Sequence, residues 1–517
     1  MIKDVIDLAS KDFSGGLNTV SDFFKLEKEQ TPNCMNVKFN FDGDVHKRLG
    51  THTLNTVALS ATGSAGTLGI TTCGWAMFDF GTRSGTTDIR WLTVAAGTAV
   101  WASSGMGQDF VRIASDRVAS YQYLDRSRNV LVLTSDSYQN VLYWAGSPGT
   151  MAALLNVSAP LAKYSINFKS FLILLNSSTR KKGFYYEDEV TQIIGDWGSV
   201  DPIGAPFDIP SSDDDEITGA FILSNKLFIS TRYKIYGISY VGGNPDWDIR
   251  LLASWGYVPR TVDKITVGDS EVAIGLDWNR RIRVFDGYDN SIISDNVEND
   301  NGMCDFATSK ISYTGSGLLT SFGRTDDNEQ VYKLGVAIGA TTQKVTHFLC
   351  FDGRTKSFYP YDYTTNSFMS MCMAESGNRR YLVACDQSGW VHLLDSGNLD
   401  RNTYTINDVL DSNFKFDRSP SETAKISKID LFFSVNSCGQ VYYQDRIDFA
   451  STFTTRKIIN VSSDSRLIEH YESIDIPSTQ NIYQYRITSS SSTTTPWELH
   501  RADFFIKPLG IGREQQR

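Results

Sequence analysis

Short runs of Val, Ile, Leu, Phe, Tyr and Trp, broken about every 8–12 residues by Gly, Asn, Asp and Ser, make up most of the chain. This is the texture of β-strands joined by tight turns, and helical periodicity is almost absent. One unit recurs: an apolar strand, a polar turn of about four to eight residues, then a second strand ending in aromatics. It runs from Ile89–Ala95 through Gly97 to Val100–Trp101, and from Val130–Leu133 through Asp136 to Val141–Trp144. It returns at Phe171–Leu175 with Phe184–Tyr186, at Leu227–Ser230 with Ile235–Tyr236, and at Val272–Gly275 with Ile282–Gly287. The last copies are Lys333–Val336 with Phe348–Gly353 and Tyr381–Ala384 with Trp390–Asp395, making seven. They start about 40–60 residues apart, the spacing of one four-stranded propeller blade per copy. A single blade cannot bury both of its faces, whereas six or seven packed about an axis can. The expected fold is all-β, a six- or seven-bladed β-propeller over residues 51–403. A β-sandwich with look-alike hairpins is the competing arrangement.

Beyond Asn398–Thr405 the pattern lengthens. Lys428–Ser434, Gly439–Tyr443 and Tyr483–Ile487 alternate with period two, as half-buried antiparallel strands do. Residues 404–517 are therefore expected to form a β-sandwich-like C-terminal appendage. Residues 1–50 read as an N-terminal arm and first hairpin. Gly15-Gly16 permits a bend with positive φ, Thr31-Pro32 suits a helix start, and Asp42-Gly43 between two apolar runs signals a hairpin. Leu17, Phe23, Phe24 and Leu26 would anchor the arm. A strand near Val37–Arg48 is expected to close the ring on the last blade, hiding an edge that would otherwise aggregate.

Composition narrows the class. A chain of 517 residues exceeds one ordinary core, and 41% apolar with 21% charged residues is the balance of a folded globular protein. No apolar run approaches the roughly 18 residues of a membrane helix, so no stable membrane insertion is expected. Met1–Asp7 carries acidic residues where a signal peptide needs a basic stretch, which points to assembly in a cytoplasm. The seven cysteines (Cys34, Cys73, Cys304, Cys350, Cys372, Cys385, Cys438) are odd in number, far apart and never C-x-x-C, so neither a disulfide framework nor a zinc site is indicated. A net charge of −10 opposes tight, sequence-independent binding of nucleic acid.

The N-terminal segment is the most specific feature: Asp12-Phe13-Ser14-Gly15-Gly16-Leu17-Asn18-Thr19, then Leu26–Gln30, Asn33–Val37, and Asp42–Gly50 with Arg48 and Gly50. It resembles the start of tail hub, nozzle and packaged-DNA-stabilisation proteins of short-tailed bacteriophages. There a Gly-Gly-Leu-Asn element leads into a short helix, an Asn-Val and an x-x-Arg-x-Gly strand. A second echo is Gly256-Tyr257-Val258, Ile265–Gly268, Asp286-Gly287 and Ile293-Ser294-Asp295. The resemblance covers about fifty residues and one blade, the rest matching only in texture. It implies a virion structural protein of the viral tail, a homo-oligomeric ring of about six copies. Such a ring would have the portal or adaptor above it and a tail fibre, needle or distal tail protein below. It would close the DNA channel and pass the genome at ejection without gripping it.

Catalytic signatures are missing from the sequence. G-x-S-x-G, the phosphate-binding G-x-x-x-x-G-K-[ST], H-E-x-x-H and sialidase-type Ser-x-Asp-x-Gly-x-x-Trp boxes do not occur. His46, His52, His347, His392, His470 and His500 are scattered without metal spacing. Asp213–Glu216 and Asp326–Glu329 lack the spacing of a cation loop and read as solvated turns, as does the basic run Arg180-Lys181-Lys182. No catalytic residue, cofactor or metal ligand is therefore assigned, and no enzyme is expected. The rival is a carbohydrate-binding or carbohydrate-degrading propeller of a phage tail, for which Trp75, Trp91, Trp101, Trp144, Trp247 and Trp390 would be sugar platforms.

Overall fold

The computed structural model describes residues 12–508, apart from 60–75, 187–206, 413–423 and shorter stretches of one to seven residues. Seven four-stranded antiparallel sheets follow one another in it. Blade one is Ala76–Ser84, Thr87–Ala96, Ala99–Ser103 and Val111–Ala114. Blades two to six occupy 122–153, 162–208, 217–253, 263–292 and 322–362. Blade seven is Phe368–Ser376, Arg379–Asp386 and Val391–Leu393, completed by the early strand His52–Thr53. Each repeat copy read from the sequence supplies the inner hairpin of one sheet.

The strands are apolar on both faces because each blade is covered twice. Phe80, Val100, Leu131, Leu133 and Trp144 fill the space between blades one and two; Phe171, Ile173, Leu227, Ile229 and Trp247 fill that between three and four. Met77, Val94, Trp101, Val383 and Val391 do the same between blades seven and one, so the ring closes on itself. Aspartates shape the corners. Asp277 accepts the N–H of Asn279 and of Arg281, both at 2.8 Å, and Asp386 accepts those of Ser388 and Trp390 at 2.8 and 2.9 Å. A carboxylate holding the backbone two and four residues on is a compact way to turn between strands.

The C-terminal part is a sandwich of two five-stranded sheets. One runs in the order Cys34–Met35, Val409–Asp411, Tyr483–Ser489, Gly439–Ile447 and Thr454–Val461. The other is Ile468–Asp475, Ala424–Val435, Trp497–Pro508, Val45–Lys47 and Val37–Phe39. Leu431, Phe433, Trp497 and Leu499 of one sheet face Val441, Tyr443, Ile459 and Ile487 of the other. Two sheets joined by interdigitating apolar faces bury what neither could alone.

The arm departs from expectation in two places. The hairpin Val37–Phe39 with Val45–Lys47 forms about Gly43, whose φ is +89°, but it joins the sandwich through Val45 opposite Leu499 rather than the last blade. Ring closure falls to His52–Thr53, which pairs with Leu393 and His392. The hairpin's apolar face, Val37, Phe39 and Val45, is buried in the main core, and that burial holds it in the sandwich. Thr31-Pro32 starts no helix either: Gln30–Thr31 is a strand beside Gly16–Leu17, and the Thr31 hydroxyl donates to the carbonyls of Asn33 and Asp411. Tertiary partners have taken the capping group. Phe23 and Phe24 lie outside the described residues, while Leu17 is buried in the core.

Between propeller and sandwich the arm carries two buried cations. Lys47 Nζ lies 3.0 Å from Asp408, which also accepts the Trp497 indole N–H at 2.8 Å. Arg48 forks onto Asp400 at 2.6 and 2.9 Å and donates further to Asn36, Leu49 O and Asp362 O, so all five of its N–H groups are used. Removing one partner of such a pair leaves an uncompensated buried charge. Arg48→Ala is expected to lower unfolding free energy by about 3–5 kcal/mol in denaturant titration; a loss under about 1 kcal/mol would show that the pair does not hold the arm.

Candidate functional site: the central channel

The first strands of the blades line an axial channel of about 510 Å³. Its wall includes Phe78 and Asp79 of blade one, Tyr123 and Asp125 of two, Tyr164 and Ser165 of three, Arg324 of six and Glu375 of seven. That volume suits a small molecule, about 300–1,000 Å³, and cannot admit a duplex. Charged side chains pair along this wall, within and across blades. Arg90 reaches Asp79 at 3.4 Å and Glu375 at 2.6 Å, and Arg380 reaches Asp327 at 2.6 Å. Arg324 lies 3.5 Å from Asp263.

The chemistry available here is limited. Asp79 and Glu375 both contact the Arg90 guanidinium, so each of these carboxylates is held in an ion pair. Burial pushes the Cys372 thiol up to about 12, away from thiolate reactivity. Desolvation pushes the Asp125 carboxyl up to about 7, with backbone N–H groups of Arg126 and Asn167 opposing it only in part.

A second constellation lies in the sandwich and was invisible in the sequence. Ser434 Oγ is 2.6 Å from His500 Nε2, and His500 Nδ1 is 2.9 Å from Asp44, 456 residues away. This is the connectivity of a serine–histidine–aspartate triad. Ser434, however, is only 2% exposed on an internal strand, so a substrate carbonyl has no approach to its oxygen. The three residues bind the N-terminal hairpin to the C-terminal strands. A fluorophosphonate probe is expected to leave Ser434 unlabelled, as checked by peptide mass spectrometry.

The residues singled out from the sequence are placed as follows. Trp101, Trp144 and Trp247 are buried within or between blades, and Trp91 meets Trp144 edge-on at 5.1 Å, so these rings are core and not sugar platforms. Trp390 lies under the Arg401 guanidinium, and Trp75 is outside the described residues. Arg180-Lys181-Lys182 forms an exposed turn in which Arg180 pairs with Asp208 at 3.0 Å. Asp215 is not solvated: it is buried and accepts from the Thr231 hydroxyl at 2.7 Å and the Arg232 N–H at 3.0 Å. Asp326, Glu329 and Asp395 converge within 4.8 Å, but Lys333 pairs with Asp395 and Lys38 with Glu329, supplying the positive charge themselves. His392 is fully buried against Asp386 at 3.1 Å, and burial lowers the pKa of His46 and His347. The cysteines at 34, 304, 350, 372 and 385 are buried thiols.

Fold and site together define a β-propeller with a sandwich clasped to it. No family model matches the chain, and no curated protein matches it. Among solved structures it is similar to BBS1N, described in complex with ARL6DN, at 8% identity and a TM-score of 0.39 over 66% of this chain and 97% of that one. It is similar also to the Neurospora crassa Pan2 WD40 domain, at 8% identity and a TM-score of 0.40 over 67% and 95%. The propeller is read from the sheets themselves. Among the described residues no helix is long and apolar enough to cross a membrane.

The raised Asp125 carboxyl has a testable sign. Between its unfolded value of about 3.9 and about 7, the folded chain holds a proton that the unfolded chain has lost. Stability therefore falls as pH rises through that window, by at most about 1.4 kcal/mol per unit. Asp125→Asn should melt higher than the parent at pH 8, with the gap shrinking toward pH 4; equal midpoints at pH 8 would refute the assignment.

Proposed function

We propose that this chain is a structural, non-enzymatic component of a bacteriophage tail. In this reading about six copies form a hub or nozzle ring between the portal or its adaptor and the distal tail. The observation that supports it most is the architectural use of the very residues that resemble that family. Gly16, with φ +65°, lies so close to the last strand of blade six that an added Cβ would be 2.7 Å from that of Ser357. Asn36, also left-handed at φ 57°, accepts from Arg48 Nε and the Asp362 N–H, each at 2.8 Å. A Cβ on Gly50 would sit 2.1 Å from the Leu399 carbonyl oxygen. The motif thus clasps the arm to the propeller and sandwich, which supports a structural role for it.

The propeller's own channel is too narrow for DNA, so the genome would pass along the axis of the ring of copies. A net charge of −10 per copy suits passage without retention, since like charges repel a duplex across a screening length of about 8 Å. The expected localisation is the tail of the virion, reached by assembly in the host cytoplasm.

Electron microscopy of the purified chain mixed with portal and adaptor complexes tests the reading. A rotationally symmetric ring bound below the adaptor is the expected image; a chain that stays monomeric and instead binds capsular polysaccharide would favour the carbohydrate rival. Binding to duplex DNA is expected to be micromolar or weaker at about 0.15 M salt. Submicromolar, steeply salt-dependent binding would point to a clamp built on residues such as Arg180, Lys181 and Lys182.

A further inference from the structure

Four arginines line the central channel, and three of them have carboxylate partners: Arg90 with Asp79 and Glu375, Arg324 with Asp263, and Arg380 with Asp327. Arg260 has none among the described residues. It sits in the connection between blades four and five with φ +68°, an unusual backbone state for a side chain carrying a Cβ. From there its guanidinium reaches across the axis, 4.8 Å from the ring centre of Tyr121 beside blade two and 5.8 Å from that of Phe322 in blade six. One nitrogen donates to the Met369 carbonyl of blade seven, while Nη1 is buried with no hydrogen-bond partner.

The groups that bear on this charge are phenols: Tyr121, Tyr123 and Tyr164. Tyr123 and Tyr164 meet edge-on, with ring centres 4.6 Å apart. A half-buried guanidinium whose Nη1 is shut away beside neutral hydroxyls lacks the counter-charge that cations in such places normally have. Forked N–H donors match the oxygens of a carboxylate or phosphate, and phenol O–H groups can donate to the remaining ones. The adjoining cavity of about 510 Å³ gives room for such a guest.

We propose that the channel is a binding site for one small oxyanion, phosphate or carboxylate, held by Arg260 with the hydroxyls of Tyr121, Tyr123 and Tyr164. The bound anion would tie blades two, three, five and seven across the axis and stiffen the ring from within. The site is independent of the tail reading, because it rests on the interior of a single copy.

Calorimetric titration of the full chain with sodium phosphate, and separately with sodium acetate, tests it at ionic strength held constant with chloride. The expected result is saturable binding of one anion per chain by at least one of the two, with a matching rise of about 2–4 °C in melting temperature. The preferred anion distinguishes the two chemistries. Arg260→Gln should abolish both effects, whereas Arg180→Gln, in the exposed turn of blade three and not part of the channel wall, should leave them unchanged. Should Arg260→Gln not fold, Arg260→Lys decides, since it keeps the charge and loses the fork; at least fivefold weaker binding is expected. The proposal is overturned by a parent protein that shows no saturable binding of either anion, or by an Arg260 variant that binds as tightly as the parent.

Discussion

Lys47 and Arg48 are adjacent in the chain, and both are buried. Their carboxylates, Asp408 and Asp400, come from the segment that leaves the last blade, more than 350 residues later. A desolvated cation without its partner costs several kcal/mol, so the two ends of the chain must meet before either can be buried. From this pairing much of the architecture follows. Upstream of it the hairpin Val37–Phe39 and Val45–Lys47 extends one sheet of the sandwich; downstream, His52–Thr53 completes the last blade. One stretch of about twenty residues therefore belongs to the sandwich at one end and to the propeller at the other.

The constraint also accounts for the arm's unusual residues. Asn36 adopts a left-handed conformation because its side chain must accept from Arg48 and Asp362 at once, and its amide donates to Asn407 O at 2.5 Å. Arg48 in turn lies over the ring of Tyr363 at 4.1 Å. These groups form a polar seam through an otherwise apolar core. A seam in which every donor is satisfied specifies one register for the arm, which an apolar contact alone would leave open to sliding.

Buried polar groups are used differently along the axis. In the seam every charge is matched, whereas in the channel Asp125 and Arg260 are left without opposite charges. Both are half-buried on the wall of the channel. The ring of blades is held together by the apolar faces between neighbours, so the axis is free to carry groups that would destabilise a solid core.

How much of this was legible beforehand follows from the range of each interaction. The strand–turn–strand copies, the Asp42-Gly43 hairpin and the change of pattern near residue 404 are local, and periodicity and turn chemistry show local order directly. The strand-rich repeating sheets and the sandwich-like C-terminal part followed from that. The triad-like contact of Ser434, His500 and Asp44, the pairing of Lys47 with Asp408, and the isolation of Arg260 were not legible. Each depends on side chains brought together from distant strands, and no spacing within the chain encodes them. For the same reason Thr31-Pro32 resembled a helix start and proved to be strand. By itself the sequence determined which segments become strands and where they turn; which strand closes the ring, and which charges are left facing the axis, was decided only when both ends of the chain were packed into one core.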